Sequence, residues 1–173
     1  KHASASIGTG TYGRHVRTTQ SAGDSQGVAL SPLVPFGTIA AQNTSVFVVL
    51  NDLISTSGHS RAGLLGNVTR DFNAPTIQVN TSGQVCHDIG GNIGGTFSTG
   101  NILTGGHSIS VSRTHQTSGQ LILNGNAEVV NYGRLGNTDA ANGFDQIGGF
   151  PSGNWGAVSA DFVWVATFDK VLS

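Results

Sequence analysis

Alternating residues between positions 106 and 130 limit the fold of this chain more than any other part of its sequence. Serines at positions 108, 110 and 112 alternate with apolar residues, which is the spacing of a half-buried β-strand. A polar loop follows over residues 113–119. An apolar strand over 120–123 then precedes Asn124-Gly125, a pair typical of two-residue hairpin turns. The stretch therefore predicts a β-meander, and it contains no group that indicates a particular chemistry.

The composition extends this prediction to the rest of the chain. Only 10% of the 173 residues are charged, whereas 26 are glycine, and an average soluble protein has about 25% charged residues. Lys1 and Lys170 are the only lysines and Glu128 is the only glutamate, so strong helix formers are scarce. Turn and strand formers dominate instead. We expect one all-β domain with many short strands.

Two apolar stretches predict the central strands of this domain. Residues 44–53 are apolar at consecutive positions from Val46 to Leu50, which is typical of a sheet that is covered on both faces. In residues 157–168, simple alternation places Phe162 and Trp164 on one apolar face. The alternation therefore predicts that Trp164 is buried.

The ends of the chain suggest a simple domain organisation. Residues 1–27 are polar and rich in glycine, which predicts an N-terminal arm or loop, and residues 28–173 are predicted to form the domain. Pro32 and Pro35 are expected to keep their segment extended and out of the centre of a sheet. Because the sequence starts at Lys1 rather than Met, we expect a processed chain or an excised domain.

Charge and hydropathy argue against two classes of partner. The net charge is −1 and the pI is about 6.6, so no clustered basic surface for nucleic acid is expected. No apolar run approaches the ~18 residues of a membrane-spanning helix, so no membrane partner is expected. Cys86 is the only cysteine, which excludes a disulfide within the chain and predicts a small buried apolar side chain.

Motifs in the second half of the chain resemble a known family. The strand and hairpin of residues 106–125, GHSISVSR followed by GQLILNG, resemble a signature of laminin-G-like, concanavalin A-like jelly rolls. Ile147-Gly148-Gly149 and then residues 156–173 are similar to the closing motif of that family, and residues 44–52 are similar to an early strand. The resemblance covers residues 25–173 and implies a two-sheet antiparallel jelly-roll sandwich.

The resemblance leaves the function open. Members of the family include glycan-binding lectins, adhesion modules, some glycoside hydrolases, and domains of phage tails and capsids. A fold of this kind therefore does not define an activity, which has to be argued from the residues of a site.

The residues argue against a hydrolase, and we predict that the protein is not an enzyme. Retaining glycoside hydrolases use two carboxylates about 5 Å apart, but Glu128 is the only glutamate and no aspartate lies within six residues of it. We interpret Glu128 as a solvent-facing strand residue. The six histidines are scattered and show no zinc-site spacing, and His107 is interpreted as structural.

One loop has the composition of a calcium site. Asp139, Asn142 and Asp145 repeat at a spacing of three in a segment of turn residues. Calcium takes six to eight oxygen ligands, and carboxylate and amide oxygens supply them. An ordinary loop with side chain-to-backbone hydrogen bonds explains the same pattern. Calcium is therefore a possible ligand, and no other cofactor is predicted.

A second set of residues has the composition of a glycan site. Sugars stack on aromatic rings and form hydrogen bonds at their edges with amides and hydroxyls. Trp155 lies in a Pro-Ser-Gly-Asn segment, where a large ring is expected to be exposed. Tyr132, Asn154 and Asn142 are the accompanying candidates.

These observations favour one function and leave two alternatives open. The composition and the N-terminal arm favour a virion surface or decoration domain of a phage head or tail. Such a domain would dock on other protein subunits of an assembly and could also adhere to a host surface. It would be oligomeric or bound in the assembly, and lie on the virion or outside the cell. The first alternative is a glycan-binding adhesion module of a tail fibre or a secreted protein. The second is a glycoside hydrolase of concanavalin A-like fold.

Overall fold

Strands dominate the computed structural model, which describes residues 4–10, 13–20, 28–35, 43–56, 61–66, 75–89, 97–114, 118–128, 143–149, 156–168 and 172. In chain order the strands in these residues are β1 (Ser4–Gly10), β2 (Gly13–Thr19), β3 (Val28–Pro35), β4 (Asn43–Thr56), β5 (Arg61–Gly66), β6 (Pro75–Asn80), β7 (Val85–Ile89), β8 (His107–Thr114), β9 (Ser118–Leu123), β10 (Asn126–Glu128), β11 (Gly143–Ile147) and β12 (Val158–Phe168).

The strands form two antiparallel sheets that pack against each other. The larger sheet has the order β1-β2-β12-β4-β8-β9-β10, and the smaller sheet has the order β3-β11-β5-β6-β7. One apolar cluster joins them, and it includes Val48 and Leu50 of the larger sheet and Leu65 and Ile77 of the smaller, all with 0% exposure. The fold class predicted from the sequence, an all-β two-sheet antiparallel jelly-roll sandwich, is confirmed.

The predicted meander is present as β8, β9 and β10. β8 pairs with β9 from Ile109 to Thr114, and β9 pairs with β10 across the predicted turn. Asn124 and Gly125 have φ angles of 53° and 79°, and two consecutive positive values define the hairpin turn that Asn-Gly favours.

The prediction for β4 is correct on one face and wrong on the other. Val46, Val48 and Leu50 are fully buried in the core, as expected. Phe47 and Val49, which point to the opposite face, are only partly buried. Among the described residues, the apolar side chains of that second face are therefore not covered by another layer of the protein.

A β-bulge in β12 corrects the prediction for Trp164. Phe162 pairs with Leu50, and Val49, the neighbour of Leu50 in β4, pairs with Trp164. Val163 therefore has no partner in β4 and is an extra residue in β12. Because one extra residue reverses the alternation of side chains, Trp164 points away from the core. Phe162 is 3% exposed, whereas Trp164 is 52% exposed. The prediction that Trp164 is buried is therefore wrong.

The N-terminal region also differs from its prediction. The sequence predicts an arm or loop over residues 1–27, but β1 and β2 lie in this region and extend the larger sheet through β12. Val16 packs against the core, and Thr18 is fully buried and donates a hydrogen bond to the Val158 carbonyl at 2.9 Å. Residues 1–3, 11–12 and 21–27 lie outside the described part of the chain.

Proline placement in the smaller sheet agrees with the prediction. Pro32 and Pro35 lie in β3, which is an edge strand of that sheet. Since proline lacks the backbone N–H that a central strand would donate, an edge position is the one that tolerates it.

Candidate functional site

The side of the larger sheet that points away from the smaller sheet, called here the outer face, contains the candidate site. Residues on this face are identified by cross-strand pairing with Ser45, Phe47 and Val49 of β4, whose chain neighbours point into the core, and Ile122 by its pairing with Ser110. They come from four adjacent strands of the sheet: Phe47 and Val49 of β4, Trp164 and Phe168 of β12, Ser108 and Ser110 of β8, and Ile122 of β9.

Three aromatic rings form the centre of the outer face. The ring of Trp164 lies 6.3 Å from that of Phe47 at an interplanar angle of 37°, and Phe168 meets Phe47 edge to face at 5.7 Å. Both separations fall in the range of favourable aromatic pairs. Phe47 and Phe168 are partly buried, whereas half of the Trp164 surface contacts solvent. The indole is thus supported by its neighbours and accessible.

A groove runs along the outer face beside these rings. One part, with a volume of about 220 Å³, is lined by Phe47, Ser110 and Ile122. An adjoining part, with a volume of about 380 Å³, is lined by His107 and Asn124. Val49 and Ser108 line both parts, so the two are continuous. The floor is therefore apolar, and hydroxyl, amide and imidazole groups lie along its side.

Hydrogen bonds hold the polar side of the groove in place. The Asn124 amide donates to Nδ1 of His107 at 2.9 Å, which leaves Nε2 of the ring to donate to the Thr104 carbonyl at 2.6 Å. The other end of the Asn124 amide accepts the backbone N–H of Ser108 at 3.0 Å. His107 has a structural role in this arrangement, in agreement with its interpretation from the sequence.

An ion pair between a buried carboxylate and a half-exposed arginine lies on the outer face where β12 pairs with β2. Asp161 is 1% exposed and accepts two hydrogen bonds from Arg17, from Nε at 2.6 Å and from Nη2 at 2.7 Å. Nε2 of His15 lies 3.3 Å from the same carboxylate. The hydrogen bonds from Arg17, together with the nearby His15 and a hydrogen bond from Asn51, hold the pKa of Asp161 below its usual value despite burial. The contact between Arg17 and Asp161 is bidentate, and it fixes the buried carboxylate of β12 against β2.

Glu128 holds one loop of the protein in place. It accepts hydrogen bonds from the backbone N–H of Thr99 at 2.8 Å, from the Thr99 hydroxyl at 2.7 Å and from the N–H of Gly100 at 3.3 Å. The bonds from Thr99 lower the pKa of Glu128. The residue therefore attaches the loop to β10, a contact that the sequence interpretation as a solvent-facing charge missed.

Most of the site residues predicted from the sequence lie outside the described part of the chain. These are Trp155, Tyr132, Asn154, Asn142 and Asp139; of Asp145 the structure describes the backbone, in β11. Within the described residues, no group of three or more His, Cys, Asp or Glu side chains is placed to hold a metal ion. The glycan site and the calcium site at these positions stay predictions.

A membrane-spanning helix is not found in the described part of the chain, since no helix there is long and apolar enough to cross a bilayer.

The fold and the outer face define an antiparallel β-sandwich with a half-exposed aromatic platform on its larger sheet. The binding domain of Paraclostridial Mosquitocidal Protein 1 is similar, with a TM-score of 0.66 and 11% identity over 98% of this chain and 43% of that one. An alginate lyase A1-II′ variant has a TM-score of 0.55 and 11% identity, over 95% of this chain and 83% of that one. Trypanosoma rangeli sialidase in complex with sialic acid has a TM-score of 0.53 and 15% identity, over 92% and 26%.

These similarities show the fold, and this chain spans less than half of the binding-domain structure. No protein-family model matches the chain, and no curated protein matches its sequence.

One prediction is corrected by these structures. The sequence predicts that the protein is not an enzyme, but an alginate lyase and a sialidase, both enzymes, share its fold. The single glutamate therefore does not exclude catalysis for this chain. Virion location, docking on other subunits and an extracellular position stay predictions, because no described contact bears on them.

Proposed function

We propose that the protein binds carbohydrate through the outer face of its larger sheet, with Trp164 as the ring on which a sugar stacks. The observation that carries this proposal is the 52% exposure of Trp164 while its ring packs against Phe47. An indole has a large apolar surface, and leaving half of it in water is unfavourable in free energy. Folding of the domain does not require this exposure, whereas binding of a ligand to the ring does.

The groups around Trp164 fit a sugar better than they fit an apolar ligand. A pyranose presents an apolar face of C–H groups and a rim of hydroxyls. The ring of Trp164 matches that face, while Ser108, Ser110 and Asn124 line the adjoining groove with groups that donate and accept hydrogen bonds. Binding of this kind needs only a few polar groups held in fixed positions.

The platform is preorganised, which favours binding. Trp164 and Phe47 lie on β12 and β4, two central strands of the larger sheet that pair over most of their length. Asn124 is fixed by its hydrogen bonds to His107 and Ser108. Little conformational entropy remains to be lost when a ligand docks, so more of the contact energy contributes to affinity.

The structural neighbours support the same class of ligand. They include a sialidase with bound sialic acid, alginate lyases, one of them with its product, and a binding domain. We further infer that the chain is related to the laminin-G-like jelly rolls. The inference is supported by the strands that these motifs form, the meander β8–β10 and the long strand β12 of the larger sheet.

Glycan-array binding by the whole 173-residue chain and its Trp164→Ala variant tests the proposal. We expect selective binding by the chain and a loss of about 30-fold in affinity in the variant, since truncating an interface anchor costs about 2 kcal/mol. Leu103→Ala is the matched control, because Leu103 is 44% exposed and packs beside Gly83, in the turn between β6 and β7.

Three outcomes of this experiment are distinct. Equal binding by the chain and Trp164→Ala, with loss in Trp155→Ala, would move the site to the position predicted from the sequence. An array without any binding would contradict the proposal. Equal losses in Trp164→Ala and Leu103→Ala would show that the effect is not specific to the outer face.

A further inference from the structure

The four edge strands of the two sheets are protected to different degrees. An exposed strand edge offers unpaired N–H and C=O groups to any other strand, and proteins usually block such edges with proline, charge, shortness or a covering segment. β3 contains Pro32 and Pro35, and β10 is three residues long and contains Glu128. β7 is flanked by the loop after residue 97, where the N–H of Ser98 donates to the Val85 carbonyl at 2.8 Å.

β1 has none of these protections. It is seven residues long, Ser-Ala-Ser-Ile-Gly-Thr-Gly, without proline or charge. It pairs with β2 through an unbroken register from Ser4–Thr19 to Gly10–Gly13, so no bulge twists the edge away. Among the described residues no strand pairs with its other side. A regular, uncharged edge of this length is suited to accept another strand.

An exposed apolar residue lies at the middle of β1. Ile7 is 70% exposed, more than Trp164 or Leu103, the other exposed large apolar residues in the described part of the chain. It lines a groove of about 250 Å³ together with Val16 and Phe162. Its exposure has a cost in the isolated chain, and a partner on the β1 edge would remove it.

We propose that β1 pairs with β1 of a second copy of this chain, antiparallel, about a two-fold axis at Ile7. The strand is self-complementary about this residue: Ile7 lies opposite the partner's Ile7, and Ala5 lies opposite the partner's Thr9. Pairing of identical strands places identical charges near each other whenever the strand is charged, and β1 has no charged residue. The two larger sheets then join edge to edge into one continuous sheet.

The interface is small, so the dimer is expected to be weak. One strand pair of this length lies at the low end of stable protein interfaces, and we expect a dissociation constant on the order of micromolar. Sedimentation equilibrium of the whole chain across that concentration range should show a reversible monomer–dimer equilibrium.

Matched lysine variants test where the dimer forms. Ile7→Lys places two like charges opposite each other at the axis and is expected to give a monomer at every concentration. The residue is already exposed, so its substitution should leave the monomer folded. Leu103→Lys makes the same change at an exposed apolar residue away from β1 and should dimerise like the unmodified chain. Dimerisation by Ile7→Lys would overturn the proposal, as would a monomeric unmodified chain.

Cysteine cross-linking tests the register. Directly opposite residues of an antiparallel pair have Cα atoms about 5 Å apart, which is within the range of a disulfide. Ile7→Cys should therefore form an intermolecular disulfide on mild oxidation. In Ala5→Cys the two cysteines would lie four residues out of register, more than ~10 Å apart, and no disulfide should form. The native Cys86 is buried and should not compete. Equal cross-linking of both variants would contradict the register.

Discussion

The inner and outer faces of β4 in the larger sheet are both apolar in sequence, but they differ in their exposure to solvent. On β4, Val48 of the inner face is fully buried, while Val49 of the outer face is only partly buried. On β12 the outer face reverses the usual preference, because the carboxylate of Asp161 is 1% exposed and the indole of Trp164 is 52% exposed. Apolar residues on the inner face stabilise the fold, whereas Val49 and Trp164 on the outer face remain accessible to solvent.

The largest expected effect separates the two faces of β4. Val48→Asp places an unpaired charge in the core and should unfold the domain. The free energy of burying such a charge is comparable to or larger than the ~5–15 kcal/mol free energy of unfolding of a typical protein. Val49→Asp, one residue away on the outer face, should give a folded protein with a smaller loss in the free energy of unfolding. Circular dichroism and urea titration of both variants check this. A cooperatively folded Val48→Asp protein would contradict the core assignment.

The second comparison lies across the bulge of β12. Phe162→Ala removes a ring that is 3% exposed and should destabilise the fold by about 3 to 5 kcal/mol, since it leaves a cavity between the sheets. Trp164→Ala removes a larger ring but should cost only about 1 kcal/mol, because half of its surface is already in water. Urea unfolding midpoints measure both. Equal losses would indicate that Trp164 is covered in solution.

Local signals made the fold predictable from the sequence. The alternation in residues 108–112 and the Asn124-Gly125 pair each specify their own strand or turn, and both appear as predicted. Pro32 and Pro35 likewise report an edge strand directly, because a missing N–H has the same consequence in any fold. These signals act within a few residues and do not depend on the rest of the chain.

The outer face depends on contacts between distant segments, and the sequence did not reveal it. Trp164 is exposed because Val163 is an extra residue in the pairing of β12 with β4, and nothing in the local pattern marks a bulge there. Arg17 and Asp161 are 144 positions apart, so their pairing has no local signature. Ile7 is the one large apolar residue of β1. A single apolar residue gives no periodicity, so the sequence of β1 does not indicate a strand without the rest of the sheet.

A third prediction, with a smaller expected effect than Val48→Asp or Phe162→Ala, concerns the buried carboxylate of Asp161 on the outer face. Asp161→Asn keeps the shape of the side chain but replaces two charge-assisted hydrogen bonds from Arg17, and should destabilise the fold by about 1 to 2 kcal/mol at pH 7. Urea unfolding of the variant and of the unmodified chain measures the difference. Glu128→Gln is the control, since Glu128 also accepts several hydrogen bonds but is only partly buried.

The difference in stability between the unmodified chain and Asp161→Asn should decrease as the pH falls. The pKa of Asp161 is lowered in the folded protein, so the ionised form stabilises the fold at every pH above the unfolded value of about 3.9. The contribution is lost as the pH falls through the lower folded pKa, where Asp161 becomes protonated. The gap in unfolding midpoint should therefore be present above about pH 5 and narrow below about pH 4. A gap that stays unchanged at about pH 3 would show that the stabilisation of Asp161 by Arg17 is not electrostatic.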